Sequence, residues 1–167
     1  MGSVAIAVDR QLVIVNSNRM AVIDRLLTRA EANRRGLTSM TEANGVSLGG
    51  PSGQQGLPYA VDAAPFMSPL SVPCRQPPFG MISAIDLQSR KVVWTRPFGT
   101  SLDSGPKAYA SRLPLPMGVP NVGGSVMTRG GLTFIGATQD AYLRAFETAT
   151  GKLLWQTRLP AGGNAIR

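Results

Sequence analysis

An eleven-residue pattern occurs twice in the sequence, and it limits the folds open to the chain more than any other feature. The first copy is AIDLQSRKVVW at residues 84–94 and the second is AFETATGKLLW at residues 145–155, an offset of 61. Both copies read alanine, an apolar residue, an acid, a short polar turn, lysine, two aliphatic residues and tryptophan. A repeat of this size indicates a propeller or a solenoid, in which similar units pack side by side.

Each copy is predicted to form a β-hairpin. On the strand that leads into the second copy, Tyr142, Arg144 and Phe146 fall on one side because side chains alternate along a strand. The turn that follows ends in Gly151, which tolerates a positive φ. The first copy has Arg90 at the equivalent position, where a positive φ strains a residue other than glycine. The turn pattern is therefore weaker in the first copy.

A further hairpin precedes the second copy. Residues 125–128 and 132–138 are rich in β-forming residues and are joined by Arg129-Gly130-Gly131. The two hairpins together make four short strands, which is the unit of a propeller blade. We therefore predict an all-β fold, a partial β-propeller of about two four-stranded blades with a long loop-rich insertion, in which one blade spans residues 124–158.

The other blade is predicted to be interrupted. Residues 4–15 read as a hairpin, and Leu12–Val15 match Leu132–Ile135 at an offset of 120. Because the later hairpin repeats at 61, we expect residues 4–15 and 80–97 to form this blade around an insertion at 16–79. The insertion is rich in proline and glycine, so most of it should be loop, with one short helix at Asp24–Asn33. Residues 1–167 then belong to one propeller domain.

The longest loops are predicted to lie on one face of the blades. Antiparallel strands alternate in direction, so the loops after the second and fourth strands of a blade emerge together. These loops are the insertion at 16–79, the connection at 98–123 and the turn Thr138-Gln139-Asp140. A rigid scaffold commonly carries its function on such loops.

The composition excludes several kinds of site. The chain contains no histidine, which excludes Ser-His-Asp and Cys-His catalysis and histidine-based zinc sites from it. Cys74 is the one cysteine, so no disulfide forms within the chain. Apolar stretches are too short to cross a bilayer, and the first residues show no signal-peptide pattern.

The net charge of +8 leaves a basic nucleic-acid binder as one alternative function. The charge is spread along the chain, and no aromatic residues interleave with the arginines, so we expect no nucleic-acid partner. The densest basic stretch contains Arg25, Arg29, Arg34 and Arg35, for which a solvated face is favoured over contact with membrane lipid.

Several ordered strings resemble the pyrroloquinoline quinone (PQQ) dehydrogenases, in the branch that holds membrane-bound glucose, quinate and shikimate dehydrogenases. They are LPY at 57–59, PFMSP at 65–69, PCRQPPFG at 73–80, GATQDAYLRAF at 136–146 and RLPAGG at 158–163. The hairpins with a late tryptophan, Trp94 and Trp155, are similar to the tryptophan-docking motif of the same family. The resemblance covers nearly the whole chain.

The resemblance implies an eight-bladed propeller that holds PQQ and a divalent metal, calcium or magnesium, near its axis. It implies oxidation of a sugar or polyol, glucose before quinate or shikimate, on the periplasmic side of the bacterial inner membrane, with electrons passed to ubiquinone. It also implies that the catalytic base, the main metal ligands and the membrane anchor lie upstream of this sequence. The chain is then a C-terminal-region fragment, inactive alone, whose further partner is the rest of the propeller.

Asp140 is the one candidate cofactor-binding residue, because it lies on the loop face and matches an acidic family position close to the cofactor. The alternative is a turn aspartate that bonds its own backbone. Trp94 and Trp155 are expected to pack blade against blade, and Cys74 to be a small buried hydrophobe or a partner for a cysteine elsewhere. No catalytic residue and no metal ligand is assigned. A non-catalytic propeller scaffold is the alternative function.

Overall fold

The computed structural model describes residues 4–39 and 50–162 of the chain. Gly163, which ends one of the family-like strings, lies outside the described residues, as do residues 40–49 of the insertion. The chain divides into two compact units, one made of Met1–Met20 with Pro69–Arg167 and the other of Ala21–Ser68.

Strands account for most of the regular structure among the described residues. They are β1 (Ala5–Ala7), β2 (Leu12–Asn18), β3 (Val22–Thr28), β4 (Gly50–Gly53), β5 (Tyr59–Pro65), β6 (Gly80–Asp86), β7 (Val92–Pro97), β8 (Ser125–Met127), β9 (Leu132–Ile135), β10 (Tyr142–Glu147) and β11 (Leu153–Arg158). One α-helix, α1, spans Arg29–Arg34, and short 3-10 turns lie at Val8–Arg10 and Pro106–Ala108. The all-β prediction is confirmed.

The first sheet has the strand order β1-β2-β6-β7, and all its pairings are antiparallel. The strands on either side of the insertion, β1 and β2 before it and β6 and β7 after it, lie in this one sheet, as the repeat predicts. Strand β2 runs on to Asn18 rather than ending at Val15, because Asn16–Asn18 pair with Gly80–Ile82 of β6.

The second sheet has the order β8-β9-β10-β11, again antiparallel throughout. Strand β9 ends at Ile135, earlier than the predicted Thr138. Residues 136–141 leave the sheet and form the turn that contains Asp140. The two four-stranded sheets therefore match the predicted pair of blades in strand number and direction.

The turns of the two copies share a left-handed residue. Gly151 has φ 67° and Arg90 has φ 58°, so the arginine adopts the conformation that glycine adopts at lower cost. The register shifts between Ala84 and Ile85 in the first copy and between Ala145 and Phe146 in the second. The repeat in the sequence is therefore also a repeat in the backbone structure.

The main hydrophobic core lies between the first and second sheets. Its buried members are Ile14, Ile82, Ala84, Phe98, Ile135, Ala137 and Phe146, with Trp94 and Met127 packed against them. Strands β2 and β6 bury alternate residues, as expected for sheets that pack face to face. Fully burying an isoleucine or phenylalanine side chain stabilises a fold by about 1.5–3 kcal/mol.

Trp94 packs the first sheet against the second, as predicted. Its indole Nε1 donates a hydrogen bond to the main-chain oxygen of Thr148 at 2.9 Å. A Cβ atom built on Gly151 would lie 2.5 Å from Cε3 of the Trp94 ring, so the ring rests on the glycine backbone. Trp155 lies on β11 and is 49% exposed, and its packing role stays a prediction.

The unit Ala21–Ser68 contains more regular structure than expected for a loop-rich insertion. Strands β3, β5 and β4 form a third antiparallel sheet, and α1 packs on it through Leu27, Ala32 and Ala60. The helix predicted at Asp24–Asn33 is wrong in its first half, because residues 24–28 belong to β3 and pair with β5. The helix begins after Thr28, whose Oγ1 accepts a hydrogen bond from Glu31 N at 3.3 Å.

The arginines of this unit are mostly bonded within it. Arg34 and Arg35 both form ion pairs with Glu31, and Arg35 also lies 3.7 Å from Asp62. Arg29 donates to the main-chain oxygens of Gln54 and Leu57. Among the residues that the structure describes, no helix has the length and apolar character needed to cross a membrane.

Candidate functional site

The loop face of the first and second sheets carries the candidate site. Strand β2 ends there at Asn18, β7 at Pro97 and β9 at Ile135, so the polar residues that follow these ends come together. The connection at 98–123 lies against the start of β6, since Phe79 N donates to Met117 O and Phe98 N to Gly80 O. All of these residues belong to the unit made of Met1–Met20 and Pro69–Arg167.

The connection packs so closely on β6 that only glycine fits at the contact. A Cβ atom on Gly80 would lie 2.0 Å from the main-chain oxygen of Val119, and one on Gly118 would lie 2.1 Å from that of Gly80. Gly118 also has φ 62°, in the left-handed region. Backbone therefore contacts backbone, which holds this part of the connection rigidly on the face.

Asp140 lies in the turn after β9 on this face and is only 1% exposed. Its carboxylate accepts hydrogen bonds from Thr100 N at 2.7 Å, Thr100 Oγ1 at 3.0 Å and Thr138 Oγ1 at 2.5 Å. Arg144 completes the set with two contacts, one of them Nη1 to Oδ1 at 3.0 Å. The carboxylate is thus satisfied by donors from the connection, its own turn and β10.

The pKa of Asp140 is held below the ordinary aspartate value. Burial by itself raises this pKa, because it disfavours the charged form. The hydrogen bonds from Arg144 and Thr138, the positive charge of Arg144 and the Thr100 N–H together outweigh burial and lower it. Asp140 is therefore an anion at neutral pH.

Arg144 is buried together with Asp140, and aromatic rings cover it. Its guanidinium carbon lies 5.8 Å from the ring centre of Phe98 and 5.1 Å from that of Tyr142. Arg158 contacts the same Tyr142 ring at 5.9 Å and binds Asp103 at 2.6 Å. Cation–π contacts of this kind favour the charged guanidinium in a desolvated site. The stack joins the connection to β10 and β11.

Arg144 was not predicted from the sequence as a site residue, although its position on the strand indicates that it is buried. Arg144 shares its strand side with Phe146, which is a core residue, so its side chain had to enter the core. A buried arginine requires an acidic partner. The nearest acid in the preceding turn is Asp140, four residues earlier.

A cluster of asparagine side chains forms the second part of the site. Asn16 Nδ2 donates to Asn121 Oδ1 at 2.7 Å and to Gly123 O at 3.1 Å. Asn18 Nδ2 donates to Asn121 O at 2.8 Å, and Asn121 N donates back to Asn18 Oδ1 at 2.9 Å. Asn16 is 1% exposed, and its Oδ1 has no hydrogen-bond partner among the residues that the structure describes. A hydrogen-bond donor from outside the protein would satisfy this acceptor.

The two parts of the site are joined directly. Asn121 forms an isolated bridge with Thr138, and Val122 N donates to Ala137 O at 2.9 Å. The segment Asn121–Gly124 is therefore tied to both β2 and the Asp140 turn. Asn16 and Asn18 were missed because β2 was expected to end at Val15.

The remaining predicted residues lie away from this network. Cys74 is exposed rather than buried, because the segment at 69–79 has no regular strand or helix to cover it. Among the described residues, no group of three or more histidine, cysteine, aspartate or glutamate side chains is placed to hold a metal ion. No metal ligand is assigned to the described part of the chain.

The chain matches known proteins along its whole length. Residues 1–167 match the family model described as "PQQ: Glucose/ethanol/alcohol dehydrogenase, beta-propeller domain". The chain is 53% identical over 108 residues, 65% of its length, to the probable quinate dehydrogenase (quinone) of Xanthomonas campestris pv. juglandis, covering 14% of that protein. It is 41% identical over 165 residues, 98% of its length, to quinoprotein glucose dehydrogenase A of Acinetobacter calcoaceticus, covering 20% of that protein.

Solved structures show the same fold. The chain resembles a europium-containing methanol dehydrogenase with a TM-score of 0.52 and 22% identity, over 96% of this chain and 20% of that one. This chain therefore spans about a fifth or less of the length of these relatives. The repeated hairpins, the two antiparallel sheets and the match over residues 1–167 agree, and the chain belongs to the β-propeller family of PQQ-dependent glucose, ethanol and alcohol dehydrogenases.

Proposed function

We propose that this chain supplies two blades and part of the cofactor-side face of a PQQ-dependent dehydrogenase that oxidises a sugar or polyol. The match over 98% of the chain to a quinoprotein glucose dehydrogenase carries this proposal. Glucose is the first candidate substrate, and quinate or shikimate is the next, supported by the 53% identity to a probable quinate dehydrogenase. Electrons then pass to ubiquinone, on the periplasmic side of the bacterial inner membrane.

The residues on the loop face fit part of such a cofactor site. PQQ, when bound, supplies a quinone that accepts the hydride of the substrate. Asn16 and Asn18 lie next to the rigid connection, and the buried Oδ1 of Asn16 has no hydrogen-bond partner among the described residues, so a donor of the cofactor would satisfy it. Calcium or magnesium is part of the proposal, with ligands contributed by residues other than those described here.

We propose that Asp140 acts by holding the residues of the loop face in position. Its buried carboxylate does not extend into solvent. Its donors include both the main-chain and side-chain groups of Thr100, at the start of the connection. Removing the negative charge would free Thr100 and leave Arg144 unpaired beneath the face. We therefore treat Asp140 as a positioning residue for the cofactor.

The activity is tested on the complete protein that carries these residues. The apo-protein is loaded with PQQ and either calcium or magnesium, and dye reduction is followed with glucose, quinate and shikimate in parallel. Turnover with one substrate supports the proposal and names the substrate. A folded protein that binds no PQQ would instead support a non-catalytic propeller scaffold.

The role of Asp140 is tested by PQQ titration of Asp140→Asn in the same protein. Because the substitution removes the charge-assisted contacts that hold Thr100 and Arg144 in place, PQQ or metal retention should weaken by about ten- to a hundredfold, or roughly 1.5–3 kcal/mol. Ile14→Val, a core change that removes none of the Asp140 hydrogen bonds, is the control for general destabilisation. Equal PQQ and metal affinity in Asp140→Asn and the wild type would show that the role of Asp140 is purely structural.

A further inference from the structure

Three side chains of the second sheet, Tyr142, Arg144 and Arg158, lie on the side of that sheet that faces the first sheet. Tyr142 and Arg144 are alternate residues of β10, and Arg158 of β11 is the cross-strand partner of Tyr142, so all three share one side. Arg144 lies over the ring of Phe98, which belongs to the core between the two sheets. The surroundings of these side chains are therefore residues that the chain itself contains.

The two arginines share one aromatic ring, and each has its own aspartate. The guanidinium carbons of Arg144 and Arg158 lie 5.1 and 5.9 Å from the ring centre of Tyr142. Two cations this close repel each other unless acids compensate for them. Arg144 is paired with Asp140, and Arg158 Nη2 donates to Asp103 Oδ1 at 2.6 Å. The two ion pairs are thus joined through the ring.

Both ion pairs hold the first residues of the connection at 98–123. Asp140 of the inner pair accepts hydrogen bonds from Thr100 N and Oγ1, and Asp103 of the outer pair follows Thr100 by three residues. The side chains of the outer pair are 51% exposed for Arg158 and 28% for Asp103, whereas the inner pair is buried. Among the described residues, Asp103 Oδ2 is buried without a hydrogen-bond partner. The Asp103 carboxylate therefore depends on Arg158.

We propose that Arg158 is a positioning residue for the cofactor, which keeps Thr100 on Asp140 by holding Asp103. This role rests on the proposed function, in which Asp140 holds the loop face on the cofactor side. Without the Arg158 charge, Asp103 is released, and residues 100–103 leave Asp140 more often. PQQ binds the held arrangement, so its affinity falls by at most the factor by which the hold is weakened.

The first test needs no cofactor and measures hydrogen exchange at the Thr100 amide in the complete protein. Arg158→Gln should speed this exchange by about three- to tenfold, the range expected from loss of an exposed ion pair and a ring contact. The Val122 amide, which is bonded at the other end of the connection, should exchange at the wild-type rate. Arg96→Gln is the matched control, because it removes another exposed arginine, one that donates to Thr150 O, and it should change neither amide.

The second test is PQQ titration of the apo-protein in saturating calcium. Arg158→Gln should weaken PQQ binding by about threefold, and Asp103→Asn should act in the same direction. Because both substitutions break one contact, the double variant should lose no more affinity than the weaker-binding single variant. Losses that add would mean that the two residues act independently and would contradict the proposed role. If Arg158→Gln does not fold, Asp103→Asn carries the same expectations in both tests.

Three further results would overturn this role of Arg158. They are unchanged exchange at Thr100, equally faster exchange at Thr100 and Val122, and faster exchange at Thr100 with unchanged PQQ affinity. The second of these would mean that the substitution loosens the whole connection. A wild-type protein that binds no PQQ would instead contradict the proposed function, and exchange at Thr100 would still decide whether Arg158 holds the connection.

Discussion

Asp140 and Arg144 form the one ion pair among the described residues in which both side chains are buried, with side-chain exposures of 0% and 5%. Each charge depends on the other, because taking a charge out of water is costly unless a partner compensates for it. The rings of Phe98 and Tyr142 exclude water from the guanidinium. The pair therefore fixes the geometry of the face and makes it sensitive to loss of either partner.

Asp140→Asn should lower the free energy of unfolding by about 3 kcal/mol, because it leaves the Arg144 cation buried without its counter-charge. Urea unfolding of the wild type and the variant measures the difference. Asp140→Asn/Arg144→Met removes both charges and should recover much of the loss. A single variant within about 0.5 kcal/mol of the wild type would contradict the importance of the pair.

The Asp140 carboxylate should also make the free energy of unfolding depend on pH in the acidic range. Since the folded-state pKa of Asp140 is lowered, its contribution is present above the unfolded-state pKa of about 3.9 and is lost as pH falls through the folded-state value. The free energy of unfolding should therefore fall below about pH 4. Asp140→Asn should show a shallower fall in that range, and identical pH profiles would exclude this contribution.

At the scale of elements, the tryptophan-bearing hairpin depends on the glycine of its neighbour. Gly151→Ala places a Cβ into the Trp94 ring and puts alanine at φ 67°. Overpacking of this kind costs about 1–3 kcal/mol, so the variant should unfold at a lower urea concentration. Gly130→Ala is the matched control, because its Cβ would meet only Thr128 Oγ1, at 3.8 Å. Similar losses in both variants would mean that the docking contact contributes little.

The third sheet shows how pairing overrides a local pattern. Asp24–Asn33 contains several good helix formers, and its sequence favours a helix from Asp24 onward. The structure uses residues up to Thr28 as strand β3, because Tyr59–Pro65 lie beside them and complete the ladder. The helix keeps only the residues after the Thr28 cap.

At the scale of the whole molecule, two blades make a small part of a propeller. The chain covers 20% of quinoprotein glucose dehydrogenase A, and its described residues hold no group placed to bind a metal ion. We expect the chain alone not to oxidise glucose when it is supplied with PQQ and calcium. Dye reduction measures this, with the complete protein as the positive control. Turnover by the chain alone would place a complete active site within these residues.

The period-two alternation and the repeated turn were enough to predict the hairpins, the all-β class and the pairing of residues 4–15 with 80–97. These features are local or repeated, so each copy of the pattern supports the interpretation of the other. Strand direction also placed the turn of Asp140 on the loop face, while the role of Asp140 toward the cofactor, which came from the family resemblance, stays a prediction.

The hydrogen-bond partners of the residues on the loop face could not be predicted from the sequence in the same way. Thr100 lies 40 residues from Asp140, and Asn16 lies 105 residues from Asn121. No periodic pattern relates such positions, because their contacts arise when two sheets pack and a connection folds onto them. The same packing places Trp94 on Gly151 and leaves Trp155 exposed, although the two tryptophans occupy equivalent positions in the repeat.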